Sequence, residues 1–357
     1  MINCNWNMLT DFAKLLKYEF SRIEDQINDG VAIFGAGFNG VMVSEYLRKE
    51  KYNINCFIDN DPAKQQTEIE GIKVCSPQDL PTRGVIFTTP KMFASKLKDD
   101  LKTSLPIMTF DAWFAIKNLY KYRELENIFY DNRSCEVLRS ILASMLTGSN
   151  RYLLDISEKD AFFCLPQFKG NLYESFLDAG AYVGDTLEAF LWSRIGQFEH
   201  IYAFEPGKKQ FAALTSRVNR LVEEWAINRK KIFLVNAALA ESAGITRMNR
   251  NEQLSQLRLS MSSGEDEVEL TSIDSYLDSR SVTFLKVDVE GAELSLLNGA
   301  KKTISQFQPK CALSVYHRPD DLFVISQMCK DLVGEYKFAL RHHLPYLMDT
   351  VLYCWVD

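Results

Sequence analysis

No stretch of 18 consecutive apolar residues occurs in the 357-residue sequence, so no helical membrane span is expected. No basic segment leads into an apolar run near residue 1, so no secretory leader is expected either. The eight cysteines, at positions 4, 56, 75, 135, 164, 311, 329 and 354, form no Cys-x-x-Cys pair. Cys56, Cys311 and Cys354 lie inside apolar, strand-like runs, and the set reads as buried free thiols rather than zinc ligands. A reducing, cytoplasmic location is the expectation. Also missing is any basic stripe. Lys+Arg number 41 against 47 Asp+Glu, a net charge of −6, and Lys208-Lys209 and Arg229–Lys231 read as solvated faces. A nucleic-acid partner is therefore not expected.

What is present is ordinary globular material, 46% hydrophobic and 25% charged, in a chain long enough for two cores. The pattern divides it into an N-terminal α/β unit over residues 1–111, a helical connector over 112–165 and a second α/β unit over 166–357. Both α/β units read as Rossmann-like, doubly wound sheets.

In the first unit an amphipathic helix over 8–27 precedes the apolar strand Val31–Phe34. The turn Gly35-Ala-Gly-Phe-Asn-Gly40 then opens a helix, and Asp59 ends the next strand. Gly35, Gly37, Gly40 and Asp59 thus meet the spacing and context of a dinucleotide fingerprint. The following segments, Asp59-Asn-Asp-Pro62, Ile69–Val74 and Ser76–Leu80, resemble the N-terminal domains of sugar-modifying enzymes. That resemblance leaves NAD(P), a nucleotide sugar and an empty structural unit all open. Strands are expected at 84–89 and 106–110 around a helix at about 91–103. In the connector, apolar residues recur at helical spacing with a break at Asp131–Ser134, and Gly148 closes the second long helix. These helices are expected to pack the units together and to form one wall of a substrate cleft.

The second unit begins with Phe176-Leu-Asp-Ala-Gly-Ala-Tyr-Val-Gly-Asp-Thr186, a short strand, a turn with Gly180 and Gly184, and a helix start at Asp185 and Thr186. Gly180 permits a sharp bend and Gly184 a close ligand approach. The next strand ends in Glu205-Pro206, which places a carboxylate to take two ribose hydroxyls. The Asp-x-Gly-x-x-x-Gly spacing suits a nucleoside without phosphates, and S-adenosyl-L-methionine (SAM) is the expected cofactor. Strands and helices alternate from residue 174 onward, which implies a parallel sheet covered on both faces. The stretch 241–269, rich in serine (Ser255, Ser260, Ser262, Ser263), reads as an irregular lid.

Further on, Phe284-Leu-Lys-Val-Asp-Val-Glu-Gly-Ala-Glu293 and Leu297-Asn-Gly-Ala300 resemble the signature of FkbM-type SAM-dependent methyltransferases. Tyr202–Pro206, Val235–Leu239 and Leu313-Ser-Val-Tyr-His-Arg-Pro319 follow that family's order, so the resemblance covers roughly 170–357. It implies a class I methyltransferase sheet closed by two terminal antiparallel strands. The implied activity is methyl transfer, most simply O-methylation, and the sugar-enzyme resemblance of residues 31–80 points to a carbohydrate or other polyhydroxylated metabolite as the small-molecule or glycan acceptor. Asp178 and Gly180 would hold the methionine end of SAM, Glu205 the ribose, and Asn236 with Ala237 the adenine. Asp288, Glu290 and His317 are the candidate bases, while Glu293 reads as a helix-start carboxylate. No third ligand to join Asp288 and Glu290 is evident, so no metal is expected, and His342-His343 cannot both face one site. The rival reading makes the first unit the working half, an NAD- or nucleotide-sugar-binding oxidoreductase or sugar-modifying protein. Oligomeric state stays open, a homodimer being one option.

Overall fold

The structure is a computed structural model. It describes residues 4–89, 100–248, 259–260 and 266–357, with backbone alone at 248, 259, 260 and 266. Helix α1 (Trp6–Gln26) starts where the Asn5 side chain accepts from the Met8 N–H. The first sheet holds β1 (Val31–Phe34), β2 (Ile54–Ile58), β3 (Glu68–Ile69), β4 (Ile72–Cys75), β5 (Val85–Thr88) and β6 (Ile107–Thr109), in the order β3-β4-β2-β1-β5-β6. All its pairings are parallel except the β3–β4 hairpin. Helix α2 (Phe38–Lys49) crosses from β1 to β2. The helix expected at 91–103 falls mostly outside the described residues.

Connector helices α3 (Phe110–Lys117), α4 (Leu119–Leu125), α5 (Asn132–Thr147) and α6 (Arg151–Leu154) follow. The break expected at Asp131–Ser134 is instead the start of α5. The Asp131 carboxylate accepts from the Ser134 N–H at 2.8 Å, a helix cap written in polar residues. Gly148 closes α5 in the left-handed conformation, φ 68°.

The second sheet contains β7 (Ser175–Ala179), β8 (His200–Phe204), β9 (Ile232–Val235), then β14 (Phe284–Val287), β15 (Lys310–Ser314), β16 (Lys337–His342) and β17 (Thr350–Trp355). Its order is β16-β17-β15-β14-β7-β8-β9, with β17 antiparallel to both neighbours and the rest parallel. Helices α7 (Asp185–Ser193) and α8 (Lys208–Glu224) join β7 to β8 and β8 to β9. Both sheets are thus open and mainly parallel, with helices on their faces, a mixed α/β architecture.

Alternation along the strands assigns the cores. Val31 and Ile33 of β1 and Leu177 and Ala179 of β7 join one continuous apolar cluster that also takes in Leu9, Trp113 and Leu142. Ala32 and Phe34 face a separate core, and Phe176 faces another built around Phe190 and Phe284. One shared core therefore ties the two sheets through the connector.

A further expectation changes. The stretch 241–269 is not irregular where described: β11 (Gly244–Met248) pairs antiparallel with β13 (Asp266–Thr271), flanked by β10 (Ala238–Leu239) and β12 (Leu259–Ser260). Its polar outer face hides the apolar alternation that would reveal a strand. Ser255, Ser262 and Ser263 lie outside the described residues. After Glu290 the chain forms two short helices, α9 (Glu293–Asn298) and α10 (Lys301–Phe307). They part at Gly299, where a Cβ would stand 2.2 Å from the Ala240 carbonyl oxygen.

Candidate active site

A cavity of about 970 Å³ opens at the carboxyl ends of β7, β8 and β14, where ligands bind in open α/β sheets. Gly180, Asp185, Thr186, Glu205, Pro206, Ala237, Asp288 and Glu290 line it, eight of the residues singled out in sequence.

Glu205 ends β8 and is 5% exposed. Its carboxylate accepts from the Tyr182 N–H at 2.9 Å and the Gly207 N–H at 2.7 Å, and these two bonds hold it between two loops at the cavity wall. Burial pushes its pKa up to about 7 against the lowering effect of those N–H groups. Asn236 is exposed and does not line the cavity. Its amide donates to the carbonyls of Glu205 (2.8 Å) and Pro206 (3.1 Å) and so fixes the loop that carries the acid.

Asp178 is fully buried beneath the site. Strand register sets it opposite Lys286, and the Lys286 ammonium lies 3.0 Å from its carboxylate. Burial of Lys286 works against its charge, but Asp178 and Asp288 more than offset this and hold the ammonium above its ordinary pKa. Lys286 also donates to the Gly180 carbonyl at 2.7 Å, so the pair shapes the glycine turn and puts a cation on the cavity wall. Gly180, at φ 79°, is required by protein rather than by ligand: a Cβ there would stand 1.9 Å from the Asp288 carbonyl oxygen. Gly184, at φ 83°, packs likewise against Leu214 of α8, where a Cβ would stand 2.8 Å from Leu214 Cδ1, and is not at the cavity.

Asp288 and Glu290 sit at the end of β14. Glu290 is held in the left-handed region at φ 53°, a strained position for a side-chain-bearing residue. His317, buried after β15, bonds through Nδ1 to Glu293 Oε1 at 2.8 Å. Its Nε2 lies 3.4 Å from Glu290 and 3.7 Å from Asp288. Burial alone would lower the His317 pKa, but Glu293, Asp288 and Glu290 raise it to about 9, so it is an imidazolium at neutral pH. Burial lifts Glu290 to about 7. Glu293 also accepts from the Val289 N–H at 3.0 Å, serving both as a helix-start carboxylate and as the histidine's anchor. Asp288, Glu293 and His317 bring one ligand atom each within 4.8 Å of one another, the grouping of a candidate cation site. Within it Glu293 Oε1 accepts from the Val289 N–H and bonds His317 Nδ1, while Asp288 stands 3.7 Å from His317 Nε2, beyond hydrogen-bond reach.

Sequence reasoning gave no role to Lys286, Tyr316 or Asp349, all on the cavity wall. A lysine inside the apolar run Phe284–Val287 was the available signal. The Tyr316 hydroxyl reaches Asp288 at 3.4 Å. His342 and His343 serve other partners, Thr350 Oγ1 and the Glu158 carbonyl, each at 2.9 Å.

In the first sheet Gly40 is needed because a Cβ would stand 1.9 Å from the Gly35 carbonyl oxygen, while Gly37 faces open space. Asp59 accepts from the Ala36 and Asp61 N–H groups at 2.9 Å each and pairs with Lys64 at 3.1 Å. A second cavity, of about 280 Å³, lies between α2, the connector helices and the loops carrying Glu290, His317 and Asp349. Among the described residues, no helix is long and apolar enough to cross a membrane.

Comparison with known proteins agrees with this geometry. Residues 27–84 match the family described as C2185-like, N-terminal. No curated protein matches the sequence. The crystal structure of Methyltransferase FkbM from Methylobacillus flagellatus KT shares the fold, with a TM-score of 0.62 over 98% of each chain at 21% identity. An rRNA methylase from Streptococcus thermophilus aligns with 52% of this chain and 89% of its own, at 14% identity and a TM-score of 0.33. Residues 178–343, which take in most of the second sheet, match the family described as Methyltransferase FkbM domain.

Proposed function

We propose that the protein is a SAM-dependent O-methyltransferase acting on a hydroxyl of a small-molecule or glycan acceptor. One observation carries the reading: a buried carboxylate, Glu205, ends β8 on the wall of the cavity at the strand ends of a methyltransferase FkbM domain. The charged side chains around that cavity fit SAM, a net cation. Asp160, Asp185, Glu205, Asp288, Glu290 and Asp349 line it against Lys169 and Lys286, a balance that repels a dinucleotide's pyrophosphate and suits a sulfonium.

Bound there, SAM supplies an electrophilic methyl group for in-line displacement by the acceptor oxygen. The chain's own residues do the rest. Glu205 takes the ribose hydroxyls in charge-assisted hydrogen bonds. Phe204, Pro206, Ala237 and Leu239 give the adenine an apolar wall. The Asp178–Lys286 pair acts as a positioning element under the Gly180 turn, where the methionine end lies. Glu290, with its pKa near neutrality, takes the acceptor's proton, and a base so placed contributes about 10²–10⁴-fold. The His317 imidazolium, anchored by Glu293, orients Glu290 and is itself too basic to be the proton acceptor at neutral pH.

Calorimetric titration of SAM into the wild type and Glu205→Ala tests the reading. Binding to the wild type that is lost in the variant supports it. Absence of SAM binding to the wild type, with NAD or a nucleotide sugar bound instead, overturns it.

A further inference from the structure

The 280 Å³ cavity meets the larger one at Glu290, Tyr316 and Asp349, which line both. Its walls come from three parts of the chain. Phe38 and Met42 project from α2, Phe110 and Phe114 from α3, Met145 from α5, and Leu347 from the β16–β17 connection. Local contacts lock the first unit over the acidic corner. The Met42 sulfur lies 3.4 Å from where a Cβ on Gly291 would stand, an ordinary contact distance, and the turn after Glu290 favours glycine through its φ of 94°. Arg318 donates from Nε to the Gly291 carbonyl at 2.7 Å and pairs with Glu45 of α2 at 3.2 Å. Phe38 meets the His317 ring edge-on at 6.5 Å.

We infer that this chamber, built jointly by the first unit and the connector, receives an apolar arm of the acceptor, whose hydroxyl then lies at Glu290. The inference rests on the methyltransferase reading for the hydroxyl's role, and on the walls alone for the arm. Three features define the ligand class. The floor is aromatic and thioether, which rewards buried hydrocarbon at about 25 cal/mol per Å². The rim carries Asp111, Glu290 and Asp349, and among the described lining residues there is no Lys or Arg. His317 is surrounded by Glu293 at 2.8 Å, Glu290 at 3.4 Å and Asp288 at 3.7 Å, so its charge is outnumbered by carboxylates and a phosphate or carboxylate would enter an acidic corner. The chamber's volume holds roughly ten non-hydrogen atoms at interior packing density. The acceptor is therefore an uncharged hydroxyl compound with a compact ring or branched hydrocarbon arm. A nucleotide sugar does not meet that description.

Saturation-transfer NMR on the whole protein, with and without S-adenosylhomocysteine, tests this using cyclohexanol, glucose and glucose 1-phosphate as probes. Cyclohexanol is expected to give a signal at least about fivefold above glucose 1-phosphate, and to lose most of it in Met42→Trp, which fills the chamber. Leu347→Trp fills it from the opposite wall and serves if the first variant does not fold. SAM affinity by calorimetry stays within about twofold in either variant, because neither residue lines the larger cavity. Equal cyclohexanol signals in wild type and folded filling variants, no cyclohexanol signal, or a stronger glucose 1-phosphate signal would each overturn the inference. If SAM fails to bind the wild type, the methyltransferase reading falls separately, since the probe signals without cofactor still report on the chamber.

Discussion

The two sheets carry the same acid-bearing turn, hydrogen bond for hydrogen bond, and use it differently. In the first, Ala36 N–H donates to Asp59 across 23 residues and Asp61 N–H donates from two residues on. In the second, Tyr182 N–H donates to Glu205 across 23 residues and Gly207 N–H from two residues on. The contrast lies in what else reaches the carboxylate. Burial works to raise Asp59's pKa, but the Asp61 and Ala36 N–H groups and Lys64 outweigh it and hold the acid below its ordinary range. Among the described residues no cation forms an ion pair with Glu205, Lys286 acting on it only without contact; it is more deeply buried, and burial pushes its pKa up to about 7 at a 970 Å³ cavity. A strand–glycine–helix–acid pattern therefore specifies a backbone. Whether the acid is available to a ligand depends on a neighbour outside the pattern.

The sharpest way to break this comparison is to remove each acid. Glu205→Ala should weaken SAM by two hydrogen bonds to a charged group, about 3–5 kcal/mol in all, or on the order of 10²–10⁴-fold. Asp59→Ala should leave SAM affinity unchanged. Calorimetry on both variants decides it, and comparable losses in the two would mean that the sheets are not functionally distinct.

Glycine substitutions probe the backbone that the turns share. Gly40→Ala and Gly180→Ala each drive a Cβ to within 1.9 Å of a backbone carbonyl oxygen, and both should cost about 2–3 kcal/mol in denaturant unfolding. Gly37→Ala meets nothing within 4 Å and should cost only about 0.5–1 kcal/mol, through the weaker helix start. If Gly180→Ala were as mild as Gly37→Ala, the glycine would not be set by the Asp288 carbonyl.

How much of this was legible follows from range. Strands such as Val31–Phe34 and Phe284–Val287 announce themselves as apolar runs, and the acids at strand ends follow from chain order. Nothing local predicts that Lys286 meets Asp178, because strand register sets that pairing. The His317–Glu293 bond and the second cavity are tertiary in the same way, assembled from segments that no spacing rule connects. The misread strand Asp266–Thr271 shows the opposite limit. Glu267 and Glu269 are exposed there, and only Val268 between them is buried, too sparse a pattern to separate strand from loop.

Acidity gives a third and smaller contrast. A Glu205 titrating near 7 is roughly one-tenth ionised at about pH 6 and nine-tenths at about pH 8. Hydroxyl donors need the carboxylate, so SAM affinity should rise about tenfold over that interval, as seen by calorimetry in matched buffers. Glu205→Gln should flatten the profile. Asp59, held below the ordinary carboxylate range, contributes nothing to it.

The smallest expected effect bears most directly on the contrast itself. Lys64 is the cation that Asp59 has and Glu205 lacks, yet it is substantially exposed, so Lys64→Met should change stability by less than about 1 kcal/mol. The sign also depends on pH. Asp59's folded pKa lies below its unfolded one, so the pair's contribution is present above the ordinary carboxylate pKa and is lost as pH falls through the folded value. Unfolding curves of Lys64→Met and wild type should therefore differ slightly near neutrality and converge in acid. Freed of Lys64, Asp59 would still hold its two backbone donors, as Glu205 does, and the variant should gain no affinity for SAM. A gain would mean that the lysine alone separates a closed turn from a working one; its absence would place that distinction in the deep cavity above Glu205.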